Sequence, residues 1–173
     1  ALGQHAVGLP ELVDDILDLE RSETGRLALK RAPLNAGTIM VAVAEATSGI
    51  ATQRGVRIEV EPAGVEFWGD EQRIVQILTN LVGNAIRFSP AGSAVTLTAE
   101  HAVTEVRLHV ADRGSGIPPE AIDRIFDRFW QVDAGPARAK DGSGLGLAIA
   151  QSMARAHGGR ITVESALGVG SEF

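Results

Sequence analysis

Between Asp70 and Phe88 the chain carries two separate stripes, and this is the stretch that most constrains the fold. Ile74, Ile77, Leu78, Leu81 and Val82 recur at three- and four-residue steps, the period of one helix face. Asn80, Asn84 and Arg87 stand at i, i+4 and i+7, so they share another face of the same helix. Asp70 precedes the first turn, where a carboxylate can cap it. Such a helix must bury one stripe against a second layer and keep two carboxamides and a guanidinium accessible. Asparagine oxygens are hard neutral ligands suited to Mg²⁺, and the guanidinium suits a phosphate. Taken alone, the same face reads first as a plain solvated surface.

The rest of the chain supplies that second layer. Asn35 to Ala51 reads as a helix with Ile39, Met40, Val43 and Ala46 inward, and Val56, Ile58 and Val60 alternate as a half-buried strand. Ala94 to Ala99 and Glu105 to Val110 alternate across a short connection, which predicts an antiparallel pair. A helix from about Pro119 to Trp130, a glycine-rich loop, a helix from Leu145 to His157, and strands at 160–164 and 168–173 complete the order. Strands clustered between helices predict a two-layer α+β sandwich with helices on one face.

Upstream, residues 9–24 place Leu9, Leu12, Val13, Ile16, Leu17 and Leu19 among acidic residues at helical spacing. Gly25 follows as a C-cap, and Pro33 bars a continuing helix. The apolar stripe needs either a partner helix, from a preceding segment or a second copy, or a place on its own domain.

With 173 residues, 45% hydrophobic and 22% charged, the chain suits one well-cored globular domain with a short appendage. A net charge of −6 argues against gripping a nucleic-acid backbone. The absence of cysteine excludes disulfides, thiolate metal sites and cysteine nucleophiles. No apolar run approaches the ~20 residues of a membrane-spanning helix, and no signal peptide is visible. The chain begins without Met and stops in what reads as a strand, so a piece of a longer protein is expected.

Two further segments carry possible chemistry. Asp112-Arg-Gly114-Ser-Gly116-Ile117-Pro118 follows a strand and sets a carboxylate before alternating glycines, where backbone can approach a flat ligand. Asp141-Gly142-Ser143-Gly144-Leu145-Gly146-Leu147 opens a helix whose free N–H groups and dipole suit phosphate. Neither a Walker loop nor a dinucleotide fingerprint fits, and each segment alone is weak.

In this order, the asparagine face, the Asp-Gly-Gly turn and the glycine-rich helix start resemble the N, G1 and G2 boxes of the gyrase-type ATP-binding fold. That fold is shared by histidine kinases, gyrase, heat-shock chaperones and mismatch-repair ATPases. Ile125-Phe126-Asp127-Arg128-Phe129-Trp130 resembles the F box of histidine kinases, and residues 9–25 resemble the end of their second dimerisation helix. The resemblance implies a Bergerat-type sandwich with a mixed, largely antiparallel sheet. It implies residues 1–31 as the end of a dimerisation and phosphoacceptor hairpin with its linker, and 32–173 as the catalytic ATP-binding domain.

It further implies that Asn84 coordinates the Mg²⁺ bridging the ATP phosphates, with Asn80 beside it and Arg87 on a phosphate. Phe88 would lie against adenine, Asp112 would accept its N6 amine, and Gly114, Gly116 and Ile117 would pass under the base. Gly142, Ser143, Gly144, Leu145 and Gly146 would offer backbone to the phosphates under a lid at 131–142. Many members carry an arginine near Gln131 that approaches the γ-phosphate. Here Gln131 is neutral, and Arg128, Arg138 and Lys140 are the cations nearby. Hydrolytic members usually place Glu where this chain has Asn80, and a neutral amide cannot act as a general base.

The implied activity is transfer of the γ-phosphoryl group to a histidine on the dimerisation domain of the same protein, with a response regulator downstream and a homodimeric parent. The implied place is the cytoplasm, whether or not the parent is anchored in the inner membrane. His5 is followed by Ala6 and lies just before the second helix, a poor context for the acceptor. His101 and His109 read as strand residues and His157 as a helix end, where a basic residue suits the dipole. The alternatives are a serine kinase that inhibits a sigma factor and a degenerate nucleotide-sensing module.

Overall fold

Leu97 faces Val110, and Thr98 faces His109, across the antiparallel strands β4 (Ala94–His101) and β5 (Val106–Ala111). Leu97, Val110 and Val95 are fully buried, so one face of this pair is core and the other carries the polar set. The computed structural model that shows this describes residues 13, 16–21, 24, 25, 27–131 and 143–173. A helix, α1, covers residues 16–21. After it come β1 (Ala32–Asn35), α2 (Ala36–Arg54), β2 (Arg57–Val60), β3 (Glu66–Gly69) and α3 (Glu71–Phe88). Beyond β5 lie a 3₁₀ turn (Pro119–Arg124), α4 (Gly146–Ala156), β6 (Glu164–Ala166) and β7 (Gly170–Glu172).

The main sheet runs β2-β4-β5-β7-β6, with β2 and β4 parallel and the other neighbours antiparallel. A parallel pair needs a long crossover, and α3 provides it. α3 packs between α2 and α4 and presses its apolar stripe, Ile74, Ile77, Leu78, Leu81 and Val82, into the core. Ile86, Leu97, Leu145, Ile149 and Met153 are among the largest fully buried side chains, each contributing about 1.5–3 kcal/mol of burial. The expected two-layer sandwich, with its mixed, largely antiparallel sheet and helices on one face, is what forms.

Local chemistry fixes the helix ends. Asn35 Oδ1 accepts the Thr38 N–H at 3.0 Å to start α2, and Gly55, at φ 66°, ends it. Asp70 caps α3 through Oδ1, which accepts the Arg73 N–H, while Oδ2 accepts the Lys30 N–H at 2.8 Å. The Asp70 N–H in turn donates to His157 Nε2 at 3.1 Å, and His157 Nδ1 donates to the Met153 carbonyl. His157 thus ties the end of α4 to the start of α3.

Burial pushes the Asp70 carboxyl up, but the Lys30 and Arg73 N–H groups and the nearby positive charge of Arg73 outweigh it and hold it below its ordinary value. A depressed folded value means that the stabilisation is present above the unfolded value and lost as pH falls through the folded one. Asp70→Ala should therefore cost about 1–2 kcal/mol at neutral pH. Urea unfolding of both proteins should show that gap closing as pH drops through the carboxylate range; a gap independent of pH would contradict the assignment.

Several expectations are corrected. β1 and β3 form a separate antiparallel pair, Ala32 to Asn35 against Gly69 to Glu66, which Pro33 and Gly69 disguise in sequence. Ala46 faces solvent, because the buried side of α2 runs through Ala36, Ile39, Met40, Val43, Thr47 and Ala51. The helix expected over 119–130 shrinks to a 3₁₀ turn over Pro119–Arg124, and Phe129 stands outside helical geometry at φ 60°. The strand expected at 160–164 starts only at Glu164, where the β6–β7 hairpin pairs Ser165 with Ser171.

The stripe upstream divides. Leu19 is buried in the main core, at 3% exposure, while Val13, Ile16 and Leu17 stay exposed. Both readings of that helix thus have a face: one residue packs on its own domain and three lack cover among the described residues. Among these residues no helix is long and apolar enough to cross a membrane.

Candidate functional site

α3 delivers Asn80, Asn84 and Arg87 on its part-buried polar side, next to the start of α4. The Asn80 side-chain N–H donates to the Gly146 carbonyl at 3.1 Å, so the asparagine stripe is joined to the glycine-rich helix start. That bond uses Asn80 as a donor, a role a carboxylate could not take. Arg87 lies over the Phe88 ring at 4.6 Å, and Phe88 keeps 44% of its surface exposed.

The Asp-Gly-Gly turn passes directly beneath the end of α3. A Cβ on Gly114 would stand 2.7 Å from the Phe88 carbonyl and 2.8 Å from Asp112 Oδ1, so only glycine fits. Asp112 Oδ1 accepts the N–H of Gly114 at 2.7 Å and of Ser171 at 3.3 Å. Burial pushes the Asp112 carboxyl above its ordinary value, and the two N–H groups offset only part of that. Among the described residues both of its hydrogen bonds use one oxygen, which leaves Oδ2 as a second acceptor.

Gly116 is constrained from another side. Its φ is 70°, and a Cβ there would come within 2.1 Å of the Ala166 carbonyl, against the β6–β7 hairpin. Ile117 donates its N–H to Ser165 Oγ at 2.8 Å, and Ser115 accepts the Gly168 N–H at 2.9 Å. The hairpin therefore braces the turn. Ser165 and Ser171 were not among the expected site residues; isolated serines near strand ends carry no pattern that separates them from ordinary surface.

At the third segment Gly144 has φ 71° and its carbonyl accepts the Phe129 N–H at 3.0 Å. Phe129 itself sits at φ 60°, a left-handed conformation that a bulky side chain adopts rarely. The Phe129–Gly144 bond brings the flanks of 132–142 together. Ser143 Oγ accepts the Leu145 N–H at 3.3 Å, and the Leu145 side chain is core, at 1% exposure. Leu145 can thus offer a ligand backbone only. A Cβ added at Gly146 would meet the Asn80 side chain at ordinary contact distance. Arg128 pairs with Glu20 at 3.2 Å. Lys140, Gly142 and Arg138 lie outside the described residues, as does nearly all of the expected lid.

The arrangement offers a half-buried acceptor carboxylate beside a Cβ-free cradle, then amides and a guanidinium along one helix face, then a helix start edged by glycine. Each element suits a different part of a flat base carrying a polyphosphate. Among the described residues no group of three or more His, Asp or Glu could hold a metal by itself.

Residues 69–173 match the sequence profile of the histidine kinase-, DNA gyrase B- and HSP90-like ATPases. The circadian input-output histidine kinase CikA of Thermosynechococcus vestitus is 38% identical over 95% of this chain and 23% of its own length. The signal transduction histidine-protein kinase BaeS of Escherichia coli is 33% identical over 91% of the chain and 34% of its own length. The crystal structure of full-length ShkA in complex with AMPPNP superposes with a TM-score of 0.82 at 38% identity, covering 95% of this chain and 34% of ShkA. The chain therefore spans about a quarter to a third of these relatives.

Proposed function

Because the chain belongs to the family of histidine kinase-, DNA gyrase B- and HSP90-like ATPases, we propose that it binds Mg-ATP between α3 and the start of α4 and passes the γ-phosphoryl group to a histidine on the dimerisation segment of its parent kinase. The observation that carries this reading is the Asn80–Gly146 bond, which couples the asparagine stripe to the glycine-rich helix start. Asp112 would accept the adenine amine, and Gly114 would let the base approach. Phe88 would cover the base, Arg87 would meet a phosphate, and the N–H groups around Gly144 and Gly146 would meet the others. Ser143 and Ile117 act as braces of these turns.

The donor set fits a metal held jointly with the ligand. Asn84 offers one neutral oxygen on α3, and the remaining donors would come from phosphates and water, as Mg²⁺ prefers. When bound, Mg²⁺ would neutralise charge on the phosphates. The protein's own share is positioning and electrostatic stabilisation, since no described group at Asn80 can activate water. In this reading residues 1–31 end the dimerisation hairpin and 32–173 form the catalytic domain. The parent acts as a homodimer and feeds a response regulator.

The test supplies the parental dimerisation domain, labelled ATP and Mg²⁺ to the chain. An acid-labile phosphoprotein is expected, and its loss in Asn84→Ala. ATP binding without any such product would contradict the transfer, and an acid-stable phosphoserine would point to the serine-kinase alternative.

A further inference from the structure

A single hydroxyl joins the two sides of the Asp-Gly-Gly turn. Ser165 Oγ accepts the Ile117 N–H at 2.8 Å, donates to the Gly170 carbonyl at 2.9 Å and lies 2.9 Å from Ser171 Oγ. A hydroxyl has one proton to give and two lone pairs to offer. All three contacts are met together only when the Ser165 proton goes to Gly170 and the Ser171 proton comes to Ser165. Ser165 is then saturated, and its oxygen links β6, β7 and the segment that carries Ile117.

Ser171 passes this link on to Asp112. Its N–H donates to Asp112 Oδ1 at 3.3 Å, and the Asp112 N–H donates to its carbonyl at 2.8 Å. The other bond to Oδ1 comes from the Gly114 N–H at 2.7 Å, two residues along the same turn. A bond that local moves with the turn and leaves the direction of the carboxylate open. The Ser171 N–H comes from another strand, so it fixes which way Oδ2 faces. It is also the longer of the two bonds, and the first to weaken when the hairpin shifts.

We infer that Ser165 is a positioning residue for base selection: by tying Ile117 and Ser171 to one point, it holds Asp112 with Oδ2 set to meet a base amine and to turn away a base carbonyl. This deepens the Mg-ATP reading above and rests on it. A carboxylate oxygen accepts from the 6-amino group of adenine and repels the 6-carbonyl of hypoxanthine. That choice depends on the direction of the carboxylate, whereas the phosphates are met at α3 and the start of α4. Removing the hydroxyl leaves the sheet itself in place, because Val110 and Phe173 exchange N–H bonds at 2.9 and 3.0 Å.

Calorimetry with Mg-ATP and Mg-ITP, in which a carbonyl replaces the amine, on the wild type, Ser165→Ala and Ser165→Thr tests this. The wild type should prefer ATP. Ser165→Ala should weaken ATP by about fivefold, the size expected for one lost hydrogen bond, and leave ITP unchanged. Ser165→Thr keeps the hydroxyl and should keep the wild-type preference. A merely structural role would weaken both nucleotides alike, so an unchanged ATP-to-ITP ratio in Ser165→Ala would overturn the proposal. Equal binding of the two by the wild type, or a Ser165→Thr protein that behaves like Ser165→Ala, would overturn it as well. A wild type that binds neither nucleotide would instead overturn the Mg-ATP reading. Thermal melts check that the proteins are folded at the temperature of titration; should Ser165→Ala not fold, Ser165→Cys, a weak hydrogen-bonding group of similar size, takes its place with the same expectation.

Discussion

Asp112→Asn is expected to melt at or above the wild-type temperature while binding Mg-ATP at least about tenfold more weakly. The two effects have one cause. Burial lifts the Asp112 carboxyl above its ordinary value, despite the N–H groups of Gly114 and Ser171. For an acid with a raised folded value, the favourable contribution is present below the unfolded value and lost as pH rises through the folded one. At neutral pH the charged form therefore opposes folding, and an amide removes that cost while its oxygen keeps both N–H bonds. The same amide replaces the second acceptor by a donor, which repels an adenine amine. Wild-type affinity should also fall as pH is lowered through the raised value. A variant that loses stability and keeps its affinity would show that Asp112 is only a brace.

Gly116→Ala should produce the largest structural loss, about 2–5 kcal/mol, or a drop of roughly 5–20 °C in melting temperature. Left-handed backbone is costly for alanine, and its Cβ would fall 2.1 Å from the Ala166 carbonyl. The hairpin must move, and with it go Ser165, which holds the Ile117 N–H, and Ser171, which holds Asp112. ATP binding should weaken even at temperatures where the protein stays folded. Differential scanning calorimetry reads the first effect, and a melting temperature within a degree of wild type would contradict the account.

How much of this was legible in the sequence depended on period. α3 could be read to its cap because its two stripes and Asp70 all agree, and β4 and β5 because strict alternation matches their register. β1 and β3 could not, since four residues containing Pro33, or ending at Gly69, carry no period of their own. Their pairing is decided by the fold around them. At the site, sequence order singled out Asn80, Asp112 and Gly144, but not their bonds. That Asn80 reaches Gly146, or that Gly116 is confined by the hairpin, depends on segments fifty or more residues apart. His157 shows the same gap: it read as a helix end, and its bond to the Asp70 N–H, 87 residues away, could not be foreseen.

The measurement closest to the central claim is a calorimetric titration of ATP, with and without Mg²⁺, into the wild type, Asn84→Ala and Asp112→Asn. One site is predicted in the wild type. Asn84→Ala should remove the Mg²⁺-dependent part of the affinity, and Asp112→Asn should weaken binding whether or not Mg²⁺ is present. Binding indifferent to both substitutions would contradict the site described between α3 and α4.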